Sequence, residues 1–536
     1  MHKNLIREER KAEYNKAPDF ETIQKRHEEA QVELRRKKRS DHIAKRRAWL
    51  FNNRTMAQDA SEETDIALEF EISQISGPLL SPELGLLNPN INPTERLLLL
   101  ISFIRDWENL DLLQAGVQVL RKILSSEKGA PLEVILETGI TKKLIQCMMV
   151  NNGSSLKNDA AWCITNLASG NGKIVNQLIN EGAIEALTCI LSTEKINPET
   201  VTMAVWALGN IAGENLESCD KVTQSGAGLL IMNIMLNWLN ISNDDLSMMV
   251  WALSNLFRGQ SAPSIKLVQD FLLISPQLLE KDSEKVLIAT LWCFAFIAES
   301  QRIQMIMDTG IIQKIVNLCG SDKLEIRHPA VRTIGNLAAN SETLTQSIIN
   351  YGVLDKLETL INCRERFLKK IVLWSICNIC GGTPLQAEAV ARHDFMKSVI
   401  SLLDDEDFEI RKEAIYILCN LTSNASCILI LKNDEQSIIE KIISSLSCKD
   451  PQILMLTLNT LENLLSASKE YPANDKADNS LMSEFIDMEG LDKLENLQRH
   501  LNVHVYNKVS QILKNFFSEG EELKENQQQI INYNFW

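Results

Sequence analysis

The chain has 536 residues, of which 45% are hydrophobic and only 6% aromatic, and its formal net charge is −15. Thirteen prolines and 22 glycines are too few for a turn-rich β protein, so the composition favours helices packed on helices. The charge is unevenly divided, because residues 1–54 carry a net +7 and the remainder carries a net −22. A basic arm on an acidic body predicts basic partners for the body and disfavours direct binding of nucleic acid.

The sequence carries no sign of secretion or of membrane insertion. No apolar signal core follows the N-terminus, and no run of about 18 apolar residues is present. We therefore expect no membrane partner, and we expect the twelve cysteines to be reduced in the cytosol or nucleus.

In chain order, the composition and residue pattern of the sequence change three times. Residues 1–54 are polar and charged, with helical propensity but a weak apolar stripe, which predicts a helical arm that needs a partner. Residues 55–95 read as a flexible linker with four X-Pro pairs. Residues 96–517 have a uniform, repetitive pattern, and residues 518–536 form an acidic and polar tail.

Within the repetitive region one phrase recurs, and its clearest copy is Trp206-Ala-Leu-Gly-Asn210. The spacing between copies is 40 to 45 residues, which is typical of armadillo or HEAT repeats with two or three helices per unit. The Trp and Asn positions, which we call the ladder, are Trp162/Asn166, Trp206/Asn210 and Trp251/Asn255, then the degenerate copies Trp292/Phe296, Arg332/Asn336, Trp374/Asn378 and Tyr416/Asn420.

A second phrase, centred on a glycine, precedes the third helix of several repeats. It contains Gly182, Gly226, Gly310 and Gly352. Glycine in this place predicts a tight turn between helices. Together the phrases indicate an all-α chain of roughly nine or ten repeats.

For a single copy, the plain interpretation is that Trp packs in the core and Asn makes a hydrogen bond at a helix end. Recurrence favours a surface instead, because Trp and Asn four residues apart share one helical face. We expect a core to need apolar residues and to have no use for a regular row of Asn. Asn can bond the backbone of an extended peptide, while Trp faces can receive the stems and charges of Lys and Arg.

Three stretches of the chain resemble the importin-α family. Residues 28–39 with Lys45-Arg46-Arg47 are similar to its importin-β-binding segment, the ladder is similar to its repeats, and residues 489–517 look like its last repeat. The resemblance implies a right-handed superhelical solenoid of armadillo repeats behind a basic N-terminal arm. It also implies an adaptor that carries proteins with basic nuclear localisation signals to importin-β, shuttles between cytoplasm and nucleus, and is recycled by an export receptor.

The resemblance also implies where cargo binds, at a major and a minor site. The major site falls on Trp162, Asn166, Gly170, Trp206, Asn210, Glu214, Trp251 and Asn255. The minor site falls on Asn336, Glu342, Thr345, Trp374, Asn378, Glu413 and Asn420. This chain departs from the family at Val175 where threonine is usual, at Tyr416 where tryptophan is usual, and at Ile371 where an acidic residue is usual.

The arm carries the residues that the resemblance assigns to receptor binding and to self-competition for the groove. They are Arg35, Arg36, Lys37, Lys38, Arg39, Lys45, Arg46 and Arg47.

Arg258 and Arg332 match the arginines that interrupt the family's groove between its two sites.

No pattern points to catalysis, a cofactor or a metal. Cys377 and Cys380 form a lone CxxC pair without a second pair at zinc-finger spacing, and His500 and His504 lack a third ligand. The alternative to a transport adaptor is another armadillo scaffold that binds extended peptides in signalling or adhesion. A generic scaffold would have no reason to carry the basic segment 28–47.

Overall fold

The computed structural model describes residues 93–106, 109–125, 132–150, 154–193, 197–237, 241–259, 261–431, 435–470 and 480–517. The predicted arm, nearly all of the predicted linker and the C-terminal tail lie outside the described residues. Regular structure in the described part is helical without any strand, which confirms the all-α prediction there. No single helix in that part is long and apolar enough to cross a membrane, although one bent helix pair would pass by length and composition alone.

The chain divides into two compact units, and the division falls after Cys293. Helix α1 of the first unit begins at Pro93, three residues before the predicted start of the repeats. The helices of this unit are α1 (Pro93–Asp106), α2 (Leu110–Leu124), α3 (Leu132–Glu137), α4 (Ile140–Met148), α5 (Ser154–Leu167), α6 (Gly172–Asn180), α7 (Ala183–Ser192), α8 (Pro198–Glu214), α9 (Leu216–Gln224), α10 (Ala227–Asn237), α11 (Asn243–Leu256), α12 (Ile265–Leu278) and α13 (Glu284–Glu299), the last of which contains the division.

Three helices make each full repeat of the first unit, as in α6–α8 and α9–α11. Side-chain caps start the first helix of these repeats, since Asn171 accepts from the amide of Ile174 and Asn215 accepts from the amide of Ser218. Gly182 and Gly226 have φ of 88° and 80° at the turn into the second helix. Only glycine adopts such angles without strain, so the tight turns predicted at these glycines are confirmed. Their predicted place was wrong, because they lead into the second helix of the repeat and not into the third.

The third helices of the first unit pack side by side, with α8 between α5 and α11. Small residues such as Ala207 and Ala252 are fully buried and let these helices approach closely. Leu208, Ile211 and Leu253 fill the space beneath them and are at most 1% exposed. The packing holds the ladder residues of successive repeats in a fixed register.

The second unit repeats this design, and α18 packs between α15 and α21. Gly310 and Gly352 again turn the chain with φ of 68° and 78°. The helices are α14 (Ile312–Cys319), α15 (Leu324–Asn340), α16 (Glu342–Asn350), α17 (Val353–Ile361), α18 (Arg366–Cys380), α19 (Pro384–Ala391), α20 (Met396–Ser401), α21 (Phe408–Thr422), α22 (Ala425–Leu431), α23 (Glu435–Ser445), α24 (Pro451–Glu470), α25 (Ser480–Asp487), α26 (Gly490–Asn496) and α27 (Val503–Ile512), with short 3₁₀ turns between some of them.

Candidate peptide-binding site

The predicted major-site residues lie on third helices of the first unit. Helix α5 carries Trp162 and Asn166, α8 carries Trp206 and Asn210, and α11 carries Trp251 and Asn255. Trp162 and Trp251 are half-buried, whereas Trp206 is only 8% exposed. The asparagines are 7%, 1% and 2% exposed, so only the outer edge of each amide reaches the surface.

Each of these asparagines is bonded to the repeat before it. The side-chain nitrogen of Asn255 donates to the carbonyl of Gly209 at 2.9 Å, and that of Asn210 donates to the carbonyl of Thr165 at 3.1 Å. Asn166 donates to the hydroxyl of Ser125 at 3.0 Å. The expectation that the core has no use for a row of Asn is therefore wrong, because the row links consecutive third helices.

These bonds leave the side-chain oxygens of Asn166 and Asn255 available for a ligand. In the described part of the chain no donor bonds the side-chain oxygens of Asn166 and Asn255, and neither oxygen is a buried atom without a partner. Each amide also has a second N–H. The inter-repeat bonds thus hold the three amides in place, and the side-chain oxygens of Asn166 and Asn255 are open to a ligand.

A glycine positions the next tryptophan of the ladder. A β-carbon at Gly209 would lie 2.5 Å from Cζ3 of Trp251, and one at Gly335 would lie 2.0 Å from Cζ3 of Trp374. Both glycines stand three residues after a ladder position, and the sequence analysis gave them no role. The signal that could have identified them is their recurrence in Trp206-Ala-Leu-Gly209 and Arg332-Thr-Ile-Gly335.

Glu214 ends helix α8 as a half-buried side chain. Its carboxylate lies against Gly172, since Oε1 is 3.1 Å from where a β-carbon of that glycine would stand. Gly170 is half-buried, and a side chain there would collide with Ile174. Glu214 therefore places an acidic group beside the start of α6, at the edge of the Trp and Asn row.

The position that departs from the family, Val175, is fully buried. Its counterpart in the second unit is Thr345, which is also fully buried and donates its hydroxyl to the carbonyl of Ser341 at 2.8 Å. Thr345 was predicted to contact cargo, but the structure places its hydroxyl in a backbone contact. The hydroxyl that valine lacks at 175 would occupy an equally buried place.

The second unit repeats the asparagine arrangement. Asn336, Asn378 and Asn420 donate to the carbonyls of Ala295, Gly335 and Cys377 at 2.8, 3.1 and 3.1 Å. Trp374, Asn378 and Asn420 are half-buried, while Asn336 is 4% exposed. The predicted minor-site residues on α15, α18 and α21 therefore form a second row with the same bonding.

The charged residues of this second row differ from those of the first. Burial raises the pKa of Glu413 to about 7, against the opposing effect of Lys370 and Lys412. Glu409, which pairs with Lys370, raises it further. Glu342 is exposed in the first turn of α16. Near neutral pH the second row thus has a carboxyl that is partly protonated.

Two departures noted in the sequence are buried to different degrees. Ile371 is 4% exposed and belongs to the core of α18. Tyr416 is half-buried on α21, and burial raises its pKa to about 12. The CxxC pair, Cys377 and Cys380, is buried in α18, and in the described part of the chain no group of His, Cys, Asp and Glu could hold a metal ion.

Comparison with protein-family models finds three kinds of match. The importin beta binding domain matches residues 10–82. The armadillo/beta-catenin-like repeat matches residues 174–213 and 300–339, which confirms the prediction of armadillo repeats. The atypical Arm repeat matches residues 480–530.

The similarity to individual proteins extends over most of the chain. Importin subunit alpha-B of Dictyostelium discoideum is 35% identical over 517 residues, covering 96% of this chain and 94% of that protein. Importin subunit alpha-2 of Arabidopsis thaliana is 33% identical over 530 residues, covering 97% and 94%. The crystal structure of an engineered protein shares the fold, with a TM-score of 0.68 at 20% identity over 79% of this chain and 99% of that one. The chain belongs to the importin subunit alpha family.

Proposed function

We propose that this chain is a nuclear import adaptor, which binds basic nuclear localisation signals on the ladder residues of the first unit and importin-β through its N-terminal arm. The observation that carries the cargo part is the row of asparagine amides fixed by inter-repeat hydrogen bonds beside Trp162, Trp206 and Trp251. The match of residues 10–82 to the importin beta binding domain supports the receptor part. An adaptor of this kind binds and releases its partners and performs no catalytic step.

The row of amides suits an extended peptide. Such a peptide exposes unpaired backbone amides and carbonyls, and the side-chain oxygens of Asn166 and Asn255 can each accept one of those amides whatever the peptide sequence. Because the amides cannot rotate freely, little conformational entropy is lost when the peptide binds. The regular repeat of the row matches a ligand with a regular backbone.

The surroundings of the row favour basic side chains. Trp faces attract cations with roughly 0.5–2 kcal/mol each, and the aliphatic stems of Lys and Arg add apolar contact. Glu214 supplies an acidic group at the edge of the row, and residues 55–536 carry a net −22. The proposed major site comprises Trp162, Asn166, Gly170, Trp206, Asn210, Glu214, Trp251 and Asn255.

The second row supplies a proposed minor site, formed by Asn336, Glu342, Trp374, Asn378, Glu413 and Asn420. The arm residues Arg35 to Arg39 would dock on importin-β, and Lys45-Arg46-Arg47 would compete with cargo for the first row when the receptor is absent. We further propose that the protein shuttles between cytoplasm and nucleus and that an export receptor recycles it.

The test is calorimetry of the full chain with a short lysine-rich peptide, alone and with importin-β present. We expect Trp206→Ala and Asn210→Ala each to weaken peptide binding by roughly 1–3 kcal/mol, because each removes a buried anchor. Leu273→Ala is the control, since Leu273 is 72% exposed and lies on α12, which carries no ladder residue. Equal affinity for wild type and both ladder variants would refute the placement of the site.

The alternative, an armadillo scaffold for other extended peptides, makes a different prediction for the same material. A scaffold of that kind would not prefer the lysine-rich peptide to a neutral peptide of the same length, and it would not bind importin-β. Equal affinity for the two peptides, together with no binding of importin-β, would support it.

A further inference from the structure

We propose that Arg121 is a resident cation that closes one end of the proposed major site, by occupying a face of Trp162 that a cargo lysine or arginine would otherwise take. Its guanidinium carbon lies 4.7 Å from the centroid of the Trp162 ring. This is the contact that the proposed function assigns to cargo cations, made here by the chain itself. The inference rests on the proposed function and adds to it a residue that limits how many cationic side chains of the cargo the site can bind.

The position of Arg121 in the repeat explains why it reaches Trp162. Arg121 stands on α2, 41 residues before Trp162, at the place where later repeats carry the ladder tryptophan. Four residues on, Ser125 takes the place of the ladder asparagine and accepts the bond from Asn166. The first repeat thus presents an arginine and a serine where a longer ladder would have Trp and Asn.

The arginine is held in place by a buried carboxylate. Asp159, whose side chain is 5% exposed, receives the Arg121 Nε at 3.2 Å and the side-chain nitrogen of Gln114 at 2.7 Å. The Arg121 side chain itself is 23% exposed. A planar guanidinium can stack on a ring and bond a carboxylate at once, so the contact with Trp162 is anchored on both sides.

The second unit contains the same arrangement at the start of its own tryptophan series. Arg332 stands 42 residues before Trp374, and its guanidinium carbon also lies 4.7 Å from the ring centroid. Its carboxylate partner is Glu299, at 3.6 Å. In contrast, no cation of the described chain lies over the ring of Trp251, the last of the three tryptophans of the proposed major site.

A stacked arginine changes what the end of the groove accepts. It covers one face of Trp162, and its charge repels a further cation brought close to it. A basic peptide should therefore gain nothing from one more lysine that would reach beyond Trp162. Without the arginine, the uncovered ring and the Asp159 carboxylate would attract that lysine.

The experiment uses one lysine-rich core peptide that is extended by a single residue. The added residue is either lysine or alanine, and the lysine and alanine forms are compared first with the addition at one end and then at the other. The ratio of their dissociation constants is measured on the full chain. Competition from the basic arm affects both peptides equally, so it cancels in the ratio. In wild type we expect both ends to give ratios within about twofold of one, whereas in Arg121→Gln the lysine form should bind roughly threefold to tenfold tighter at one end.

Matched variants separate this effect from loss of charge and from misfolding. Lys122→Gln removes a neighbouring cation on the same helix and should leave both ratios unchanged. Arg121→Lys keeps a cation but loses the planar stack, and it should fall between wild type and Arg121→Gln. The double variant Arg121→Gln/Asp159→Asn leaves no unpaired buried carboxylate, so it should fold even if the single variant does not, and it should show the gain from the uncovered ring alone.

Two results would overturn the proposal. One is an unchanged ratio at both ends in Arg121→Gln and in the double variant. The other is an equal gain in Lys122→Gln, which would indicate a general charge effect. If wild type fails to bind even the alanine-extended peptide, the proposed function itself is wrong, so the two failures are distinguishable.

Discussion

Asn255 illustrates the two contacts that we propose for a ladder asparagine. One N–H bonds the preceding repeat, as between Asn255 and Gly209, and the oxygen of that amide faces outward. Loss of such a bond inside a protein costs about 1 kcal/mol. Substitution of a ladder asparagine should therefore lower both stability and peptide affinity, and the two effects must be measured separately.

Gly209 gives a cleaner test of how the ladder is assembled. A methyl group at this position would lie 2.5 Å from Trp251 Cζ3, so Gly209→Ala must displace the ring. We expect a loss of about 1–3 kcal/mol in the free energy of unfolding, as for other overpacked sites, and weaker binding of a basic peptide. The midpoint of urea unfolding measures the first effect and calorimetry the second.

A double-mutant cycle controls for the intrinsic effect of alanine in place of glycine. In a Trp251→Phe background the smaller ring removes part of the collision, so Gly209→Ala should destabilise the chain less than it does in wild type. If the loss is the same in both backgrounds, the contact between Gly209 and Trp251 does not decide the geometry of the ladder.

The raised pKa of Glu413 predicts that the free energy of unfolding depends on pH through a residue of the second row. Its pKa is raised by burial from 4.5 to about 7, so between these values the folded state binds more protons than the unfolded state. The free energy of unfolding should therefore fall as pH rises from about 4.5 to 7, by up to roughly 3 kcal/mol, and Glu413→Gln should abolish that part. Urea unfolding at a series of pH values measures it.

The control for this pH effect is Glu325→Gln, because Glu325 is exposed at the start of α15. That variant should follow the wild-type profile. Ionisation of Glu413 should also strengthen binding of a cation nearby, so the affinity of the second row for a basic peptide should rise between pH 6 and 8. A Glu413→Gln profile parallel to that of wild type would contradict both statements.

At the scale of helices, the sequence predicted the third helices, the shared face of Trp and Asn, and the glycine turns, although it placed those turns one helix too late in the repeat. It could not predict that Asn210 donates to Thr165 or that Trp251 packs on Gly209, because these partners are 45 and 42 residues apart and belong to different repeats. Periodicity gives the register of such positions but not the distance between their atoms. The burial of Thr345 was missed for another reason, because its role was assigned from the family resemblance, whereas its hydroxyl bonds the carbonyl of Ser341 four residues earlier.

The two rows of third helices should differ in strength. In the second row Tyr416 replaces a tryptophan, Ile371 is part of the core, and Glu413 is partly protonated near neutral pH. A signal with two basic clusters should therefore gain less from the cluster that binds the second row. We call the cluster that binds the second row the upstream cluster and the one that binds the first row the main cluster. We expect deletion of the upstream cluster to raise the dissociation constant less than deletion of the main cluster, as measured by calorimetry.

The matched control is a peptide in which the upstream cluster is replaced by alanines, so that length is kept. If its replacement costs as much affinity as replacement of the main cluster, the two rows are equally strong and the departures at 371 and 416 are compensated elsewhere.

At the scale of the whole molecule, the charge is divided between a basic arm and an acidic remainder, with net +7 in residues 1–54 and net −22 after them. The arm contains Lys45-Arg46-Arg47, which is a cargo-like triplet on the same chain as the groove. If residues 55–95 form the flexible linker that the sequence predicts, about 40 residues have a typical reach near 35 Å, and such a tether would present the triplet at roughly millimolar effective concentration. Even a weak mimic of cargo would compete at that concentration.

Receptor binding should remove this competitor. If importin-β captures the arm, the triplet leaves the groove, and receptor and cargo then bind with positive coupling that must be equal in both directions. We expect deletion of residues 1–54, and separately Lys45-Arg46-Arg47 changed to alanines, to tighten cargo binding in the absence of receptor and to abolish the coupling to importin-β. As a control, changing both Arg7 and Arg10 to alanine removes positive charge from the arm outside the triplet, and it should leave cargo affinity unchanged. Cargo affinity equal to wild type in both the deletion and the triplet variant would mean that the arm is only a docking segment, and the adaptor function would then operate without self-competition.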